Sequence, residues 1–412
     1  MEFVYPFQQP VHPLAIEACR ALRQAGFTAY IVGGCVRDLY LELQPKDWDI
    51  TTDASPEQVI ALFPRTIPTG LQHGTVTACM GEGEYNHFEV TTFRVEGEYL
   101  DGRRPGSVKF VKSVTEDLAR RDFTINSMAF DPLTNALIDP FGGKQDIDDK
   151  VIRAVGSPNE RFQEDGLRIM RAARFAARFG FAIDPYTLRG MSDNLDTLKK
   201  VSKERVSDEL SKTLLAQYAN IGVLILQACG ALAIACPLLD GRILPLLSGK
   251  YQGELETRLA FIYNRLPVKL VEEELVSLKF SNKEIKKVLF LLETLEKYLQ
   301  FEQEESVITY RHFIARLKNE SPDQWDSTLQ EFILLSESLG LSEPARLLLG
   351  KYSPEGVYSR RAMEINGDDL LKAGVKPGPQ MKILLDACYR EILEHPEHNN
   401  KEFLLQYSLS NI

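Results

Sequence analysis

The stretch that most restricts the fold is YIVGGCVRDLYLELQPKDWDITT, residues 30–52. An apolar run ends in two glycines, a short amphipathic segment follows, and a second strand-like run opens beside two carboxylates. Strand, glycine turn, short helix and strand make an α/β beginning, which a helical bundle or a β-sandwich does not need. Paired glycines let a backbone turn approach a phosphate closely, and amides at the next helix start face an oxyanion. Arg37 adds a charge-assisted donor. Alternation along a strand puts Asp47 and Asp49 on one face, within reach of one or two magnesium ions. In-line phosphoryl transfer uses such ions on the attacking and leaving oxygens. Alone, the pair is a solvated strand end; joined to the glycine turn at this spacing, it reads as a metal socket. Trp48, between them, then faces the other way and packs.

Up to about residue 145 helix and strand alternate. PLAIEACRALRQAGF repeats apolar residues at helical spacing and ends at Gly26. SPEQVIALF opens with Ser55 as N-cap and Pro56 at the first helical position. GTVTACM and NHFEVTTFR read as paired antiparallel strands, then comes a polar Gly-rich loop, then the strand VKFV. After about 150 helical patterns dominate to the end. The expected class is α+β: a head with a small mixed sheet and helices, then an extended all-helical remainder.

The chain has 412 residues, enough for several cores, and a net charge of -10. That balance argues against indiscriminate coating of nucleic acid, which needs Lys and Arg, but allows a local basic surface. The six cysteines form no C-x-x-C pair and the six histidines do not cluster. A disulfide framework or zinc site is therefore not expected, and any metal is held by oxygen, which favours Mg2+. No basic stretch followed by an apolar run opens the chain, so a secretory leader is not expected and a cytoplasmic location is. IGVLILQACGALAIACPLL (221–239) is long enough to span a bilayer, but Gly230 and Pro237 interrupt it. It reads as a buried helix, a turn and the start of another element.

Two further stretches carry chemistry. In RRDFTINSMAFDP (120–132), Arg121 and Asp122 precede a β-branched stretch, placed to hold a triphosphate and ribose hydroxyls, or to form a charged turn. ERFQEDGLRIMRAARFAARFGF (160–181) reads as one helix. On it Glu164, Arg168, Arg171 and Arg178 fall within an arc of about 80°, flanked by Asp165 and Arg174. Because the rest of its surface is apolar, the helix is expected to be enclosed, and enclosed charges need partners. The arginines outnumber the acids, so a nucleotide would supply what is missing. A carboxylate accepting from an exocyclic amine, beside a guanidinium donating to a ring acceptor, matches cytosine and adenine and rejects guanine and uracil. Asp165 and Arg168 fit that template.

These motifs, in this order and spacing, resemble the class II tRNA nucleotidyltransferases, the CCA-adding enzymes of the polymerase-beta-like superfamily. The resemblance rests on YIVGGCVRDLYLELQPKDWDITTDASPEQVIALF, HGTV, FEVTTFRVEGEYLDGRRPGSVKF, EDLARRDFTINSMAFDP, IDPFGGKQDI and ERFQEDGLRIMRAARFAARFGF. SKERVSDELSKTLL and EINGDDLLKAGVKPGPQMKILL extend it along nearly the whole chain. It implies a head over 1–145, a neck over 146–215 with the nucleotide-selecting helix, a body over 216–300 and a tRNA-binding tail over 301–412. It also implies Asp47 and Asp49 as the catalytic, magnesium-binding pair, with Glu89 as a third acid near the metals. Gly34, Arg37, Arg121 and Asp122 would handle triphosphate and sugar. Asp165 and Arg168 would select the base, and Arg171 and Arg174 would complete the pocket. The loop 93–107 resembles the element that switches the pocket from C to A, and GVKPGPQMK (374–382) is either a phosphate contact or a plain helix–helix turn.

The expected activity is template-independent addition of C, C and A to the tRNA 3′ end from CTP and ATP. No membrane association and no obligate protein partner are implied. An enzyme adding only A beside a CC-adding partner, a poly(A) polymerase and a degenerate RNA-binding head are the alternatives. Cys35, Trp48 and Gly166 depart from the residues frequent at those positions in the family, without removing a functional group.

Overall fold

The computed structural model describes residues 7–81, 86–96, 108–241, 253–301, 311–313, 315, 325–341 and 360–410. The chain divides into two compact units, Met1–Ile243 and Leu244–Ile412. Most of the notable loop 93–107 (residues 97–107) lies outside the described residues.

In the first unit, α1 (Pro13–Gln24) buries Ala15, Ala18, Cys19 and Leu22 along one stripe. It leads into β1 (Ala29–Val32), the glycine turn, α2 (Gly34–Tyr40) and β2 (Asp49–Thr52). Ser55 caps α3 (Pro56–Leu62): its hydroxyl accepts from the Gln58 amide, and the Gln58 side chain accepts from the Ser55 N–H at 2.8 Å. Next come β3 (Thr66–Gly70), β4 (Thr75–Cys79) and β5 (His87–Thr92). After them, β6 (Arg94–Glu96) and β7 (Val108–Phe110) form a separate antiparallel pair. α4 (Val114–Ala119), β8 (Ala129–Asp131), β9 (Ala136–Ile138) and α5 (Gly143–Asp148) complete the head.

Seven strands form one mixed sheet in the order β3-β4-β5-β2-β1-β8-β9. Only β2 and β5 run parallel; the other neighbours are antiparallel. Register explains the two faces. Val76, Val90, Ile50, Ile31 and Phe130 stand opposite one another in a row across five strands, each fully buried. Burying each such side chain contributes about 1.5–3 kcal/mol. Shift by one residue and the row becomes Thr77, Glu89 and Asp49, pointing to the other face. The same apolar row that fixes the sheet therefore fixes where the carboxylates stand.

The stretch 160–181 is not one helix. α6 (Pro158–Glu164) stops at Asp165, whose backbone is extended (φ -145°, ψ 107°), and α7 (Leu167–Phe179) starts after Gly166. The break has a tertiary cause: a Cβ on Gly166 would lie 2.4–2.6 Å from the backbone of Thr197 and Leu198. The Asp165 carboxylate accepts from the Leu167 amide at 3.0 Å, satisfying one of the donors exposed at the new helix start. As the apolar pattern requires, α7 is enclosed, with Ile169, Met170, Ala172, Ala173, Ala176 and Ala177 buried. It packs on α8 (Lys203–Leu215) and α9 (Ala219–Ala228). α9 thereby packs within the first unit. The segment 221–239 is α9, a turn at Gly230, a short helix Ala231–Ala235 and a 3-10 turn. Among the described residues no helix is long and apolar enough to cross a membrane.

Among the described residues of the second unit the regular structure is helical: Leu255–Ile262, Val268–Ser277, Asn282–Phe301, Trp325–Ser338, Gly367–Lys372, Pro379–Glu394 and Lys401–Ser410. Tyr298, Phe313 and Phe332 form an aromatic cluster in its core, with centroids 5.2–5.9 Å apart. Of GVKPGPQMK, GVKPG is the turn between the helices at 367–372 and 379–394, with Gly374 and Gly378 at positive φ, and PQMK opens the second helix.

Candidate active site

Asp49 opens β2, with Glu89 of β5 directly beside it in register. Asp47 lies just before the strand, and these three carboxylates line one pocket with Ile67, Thr69 and Thr77. Trp48 is buried, as expected for a packing residue, though its edge reaches the same pocket. Burial pushes the Asp49 pKa up; Arg121 opposes this, Glu89 and Asp47 add to it, and the result is about 6. An all-oxygen donor set in which Glu89 and Asp47 disfavour ionisation of Asp49 fits a hard dication, which relieves that repulsion. Among the described residues no group of three His, Cys, Asp or Glu side chains is arranged to hold a metal by itself.

The glycine turn meets this site from the β1 side. Gly33, not Gly34, is the residue the turn cannot replace: its φ is +82°, and a Cβ there would sit 2.6 Å from Arg121 Nη1. Gly34 has ordinary room and begins α2. Arg37 turns inward. It is 4% exposed, donates to Asp38 at 2.9 and 2.7 Å and to Asn126, and lies 5.2 and 4.9 Å from the ring centres of Phe175 and Phe179.

Three consecutive residues join the carboxylates to α7. The Arg120 carbonyl accepts from Arg168 Nη2 at 3.2 Å. Arg121 faces Asp49 and Gly33, with the buried Asp117 3.6 Å away. Asp122 accepts from Arg171 at 2.8 and 2.6 Å and from Asn126 at 3.0 Å. Burial would raise the Asp122 pKa, but Arg171, Asn126 and Arg168 outweigh it and hold the carboxyl far below the usual range.

The expectation that the α7 arginines lack protein partners fails. Arg168 pairs with Glu164 and donates to the Arg161 carbonyl at 3.0 Å. Arg174 pairs with the buried Glu209 of α8 at 2.5 Å, and Arg178 with Asp38 at 3.1 Å. Asp165 pairs with Arg205 of α8 at 2.9 Å. The missing carboxylates come from α2, the 117–122 region and α8. Sequence reasoning read the paired glycines but named Gly34 rather than Gly33, and passed over Asp38, Asp117, Asn126, Arg205 and Glu209. Asp38 was legible as the end of GGCVRD, and Arg205 and Glu209 as the charged residues of KERVSDEL, a stretch read only as a helix.

A mixed sheet that sets paired carboxylates beside a glycine turn, backed by an arginine-rich helix, defines a nucleotidyltransferase of the polymerase-beta-like class. Family models agree along the chain: a poly A polymerase head domain over residues 29–153, a probable RNA and SrmB-binding site of polymerase A over 180–242, and a putative tRNA nucleotidyltransferase domain 2 over 253–408. The chain is 37% identical to the CCA-adding enzyme of Limosilactobacillus fermentum over 397 residues, covering 93% of each. It is 35% identical to that of Geobacillus kaustophilus, covering 96% of this chain and 95% of the relative. The crystal structure of the Bacillus stearothermophilus CCA-adding enzyme in complex with CTP superposes with a TM-score of 0.76 at 31% identity, covering 97% of this chain and 98% of that one. The Thermotoga maritima enzyme complexed with tRNA shares the fold, with a TM-score of 0.66 at 21% identity, covering 97% and 96%. The chain belongs to the family of CCA-adding enzymes. Nucleotidyl transfer on this fold is divalent-metal chemistry. With these relatives all named for CCA addition, the A-only and poly(A) alternatives are not favoured.

Proposed function

We propose that this protein adds C, C and A in turn to the 3′ end of tRNA, drawing on CTP and ATP without a nucleic-acid template and releasing pyrophosphate. One observation carries the reading: Arg120–Asp122 links the carboxylates of β2 to the Asp165–Arg168 region within a single compact unit. Chemistry at the α-phosphorus and inspection of the base are thereby held to one frame.

Asp47 and Asp49 would hold Mg2+, with Glu89 as the third acid; when bound, it supplies activation of the 3′-hydroxyl and charge relief on pyrophosphate. Arg121 and the Gly33–Gly34 turn meet the triphosphate. Arg37 acts from behind, tying that turn to Phe175 and Phe179 of α7. Asp165 accepts from the exocyclic amine of C or A, and Arg168 donates to the neighbouring ring nitrogen. Asp122 orients Arg171, and Glu209 orients Arg174, on the edge of the same pocket. Residues 1–145 then serve as head and 146–215 as neck. The body (216–300) and tail (301–412) grip the tRNA by shape and backbone. The enzyme would act in the cytoplasm, without an obligate protein partner.

The test uses purified protein, Mg2+ and tRNA ending before the first C, after both Cs, or complete, with each labelled nucleotide singly and combined. CTP alone should add two residues to the first substrate, ATP alone one to the second, and neither should extend the third. Addition of A only, and only to the CC-ended tRNA, would sink the proposal.

A further inference from the structure

The row that carries Asp49 and Glu89 continues to Thr77 of β4, and together with β3 it floors a pocket of about 460 Å³. The proposed triphosphate groups do not lie on that side. In the strand order, β1 with Gly33 and Arg121 flanks β2 on one side, and β5, β4 and β3 flank it on the other. In-line displacement puts the attacking oxygen opposite the leaving group. With pyrophosphate leaving on the β1 side, the RNA end arrives over β5.

The lining suits a sugar rather than a phosphate. Three carboxylates rim it, and among the described residues no Lys or Arg lines it. Ile67 is 42% exposed and offers an apolar surface for one face of a sugar. The hydroxyls of Thr69 and Thr77 lie 2.9 Å apart, and Thr77 is fixed by burial. Two hydroxyls sharing one hydrogen bond keep one proton to donate and lone pairs to accept. That matches a 2′-hydroxyl, which is both donor and acceptor and marks RNA against DNA. Two strand spacings, about 10 Å, separate the Cα atoms of Thr77 and Asp49, room for a ribose with its 3′-oxygen toward Asp49 and its 2′-oxygen toward Thr77.

We infer that this pocket seats the terminal ribose of the acceptor RNA, and that the Thr69–Thr77 hydroxyl pair reads its 2′-hydroxyl. The assignment rests on the CCA-addition reading and makes both threonines specificity determinants for the acceptor. His87, which also lines the pocket, borders the same sugar.

The experiment compares tRNA ending in CC with a ribose or a 2′-deoxyribose at its last position. Wild-type enzyme should show a KM about tenfold lower for the ribose end, the worth of one hydrogen bond. The double variant Thr69→Val, Thr77→Val should raise the KM for the ribose end about tenfold, leave the 2′-deoxy end and the KM for ATP unchanged, and so erase the discrimination. Serine at both positions should restore it. Trp48 reports binding directly: its emission, titrated with each acceptor in the absence of nucleotide and with Trp325 replaced by Phe, should rank the dissociation constants in the same order. Equal KM values for the two ends in the wild type would overturn the assignment, as would intact discrimination in the valine variant. A valine variant whose KM for ATP also rises would mark the pair as structural and equally overturn it. Failure of the wild type to extend either tRNA would instead remove the CCA-addition reading, and this assignment with it.

Discussion

Asp122 shows how much one side chain of this site depends on residues far away in the chain. Its carboxylate is buried, and Arg171, 49 positions later, supplies two of its hydrogen bonds. Replacing it in Asp122→Asn leaves Arg171 facing a neutral amide, at a cost of about 2 kcal/mol at pH 7. The pH dependence has a fixed sign. The folded pKa is depressed, so the ionised carboxylate stabilises the fold fully above its unfolded value of about 4, and that stabilisation fades as pH falls toward the folded value. Urea midpoints of the two proteins should differ most near neutrality and converge in acid; a gap that stays constant down to the lowest accessible pH would contradict this account. Local sequence showed which residue types were present and that enclosed arginines need counter-charges. It could not show that Asp38, Asp122 and Glu209 answer Arg178, Arg171 and Arg174, because those pairings span 140, 49 and 35 positions.

At the scale of elements, the break between α6 and α7 decides where Asp165 stands. A continuous helix would carry Asp165 around the helix surface; the extended residue instead places its carboxylate over the α7 start, within reach of Arg205. Helix propensity says that Gly166→Ala should stabilise by about 0.5–1 kcal/mol. Packing says the reverse, because the new methyl would press on the carbonyl and amide of Thr197 and Leu198, which cannot rotate away. Overpacking of that kind costs about 1–3 kcal/mol, so the variant should be less stable by roughly 1–2 kcal/mol, with weaker selection of C and A over U and G as Asp165 shifts. A higher melting temperature for Gly166→Ala would show that the loop carrying Thr197 yields easily. Periodicity made α7 legible, since its apolar stripe is continuous. The break was not, because its cause lies about 30 positions downstream and leaves only one glycine in the local pattern. The sheet was more readable: its strands and the glycine turn showed in the alternation, and the register that sets Asp49 beside Glu89 follows from the buried apolar row.

The whole molecule separates into a unit ending at Ile243 and a helical unit beginning at Leu244, each with its own core. This partition was hidden in sequence because α9 looks like the first helix of a body domain, while its buried face belongs to α7 and α8. Every residue proposed for the metal, the triphosphate and the base lies in the first unit, whereas the family model for tRNA nucleotidyltransferase domain 2 matches 253–408. Nucleotide binding and acceptor binding should therefore be separable. A chain cut after residue 243 is expected to unfold cooperatively and to bind CTP and ATP with dissociation constants within about threefold of the full chain, measured calorimetrically with Mg2+ present. Its KM for tRNA should rise at least tenfold, since the linked second contact that raises effective concentration is gone. Loss of nucleotide affinity in a folded fragment would mean that the second unit completes the nucleotide pocket. An unchanged KM for tRNA would mean that the first unit alone holds the acceptor, leaving the second without the proposed role.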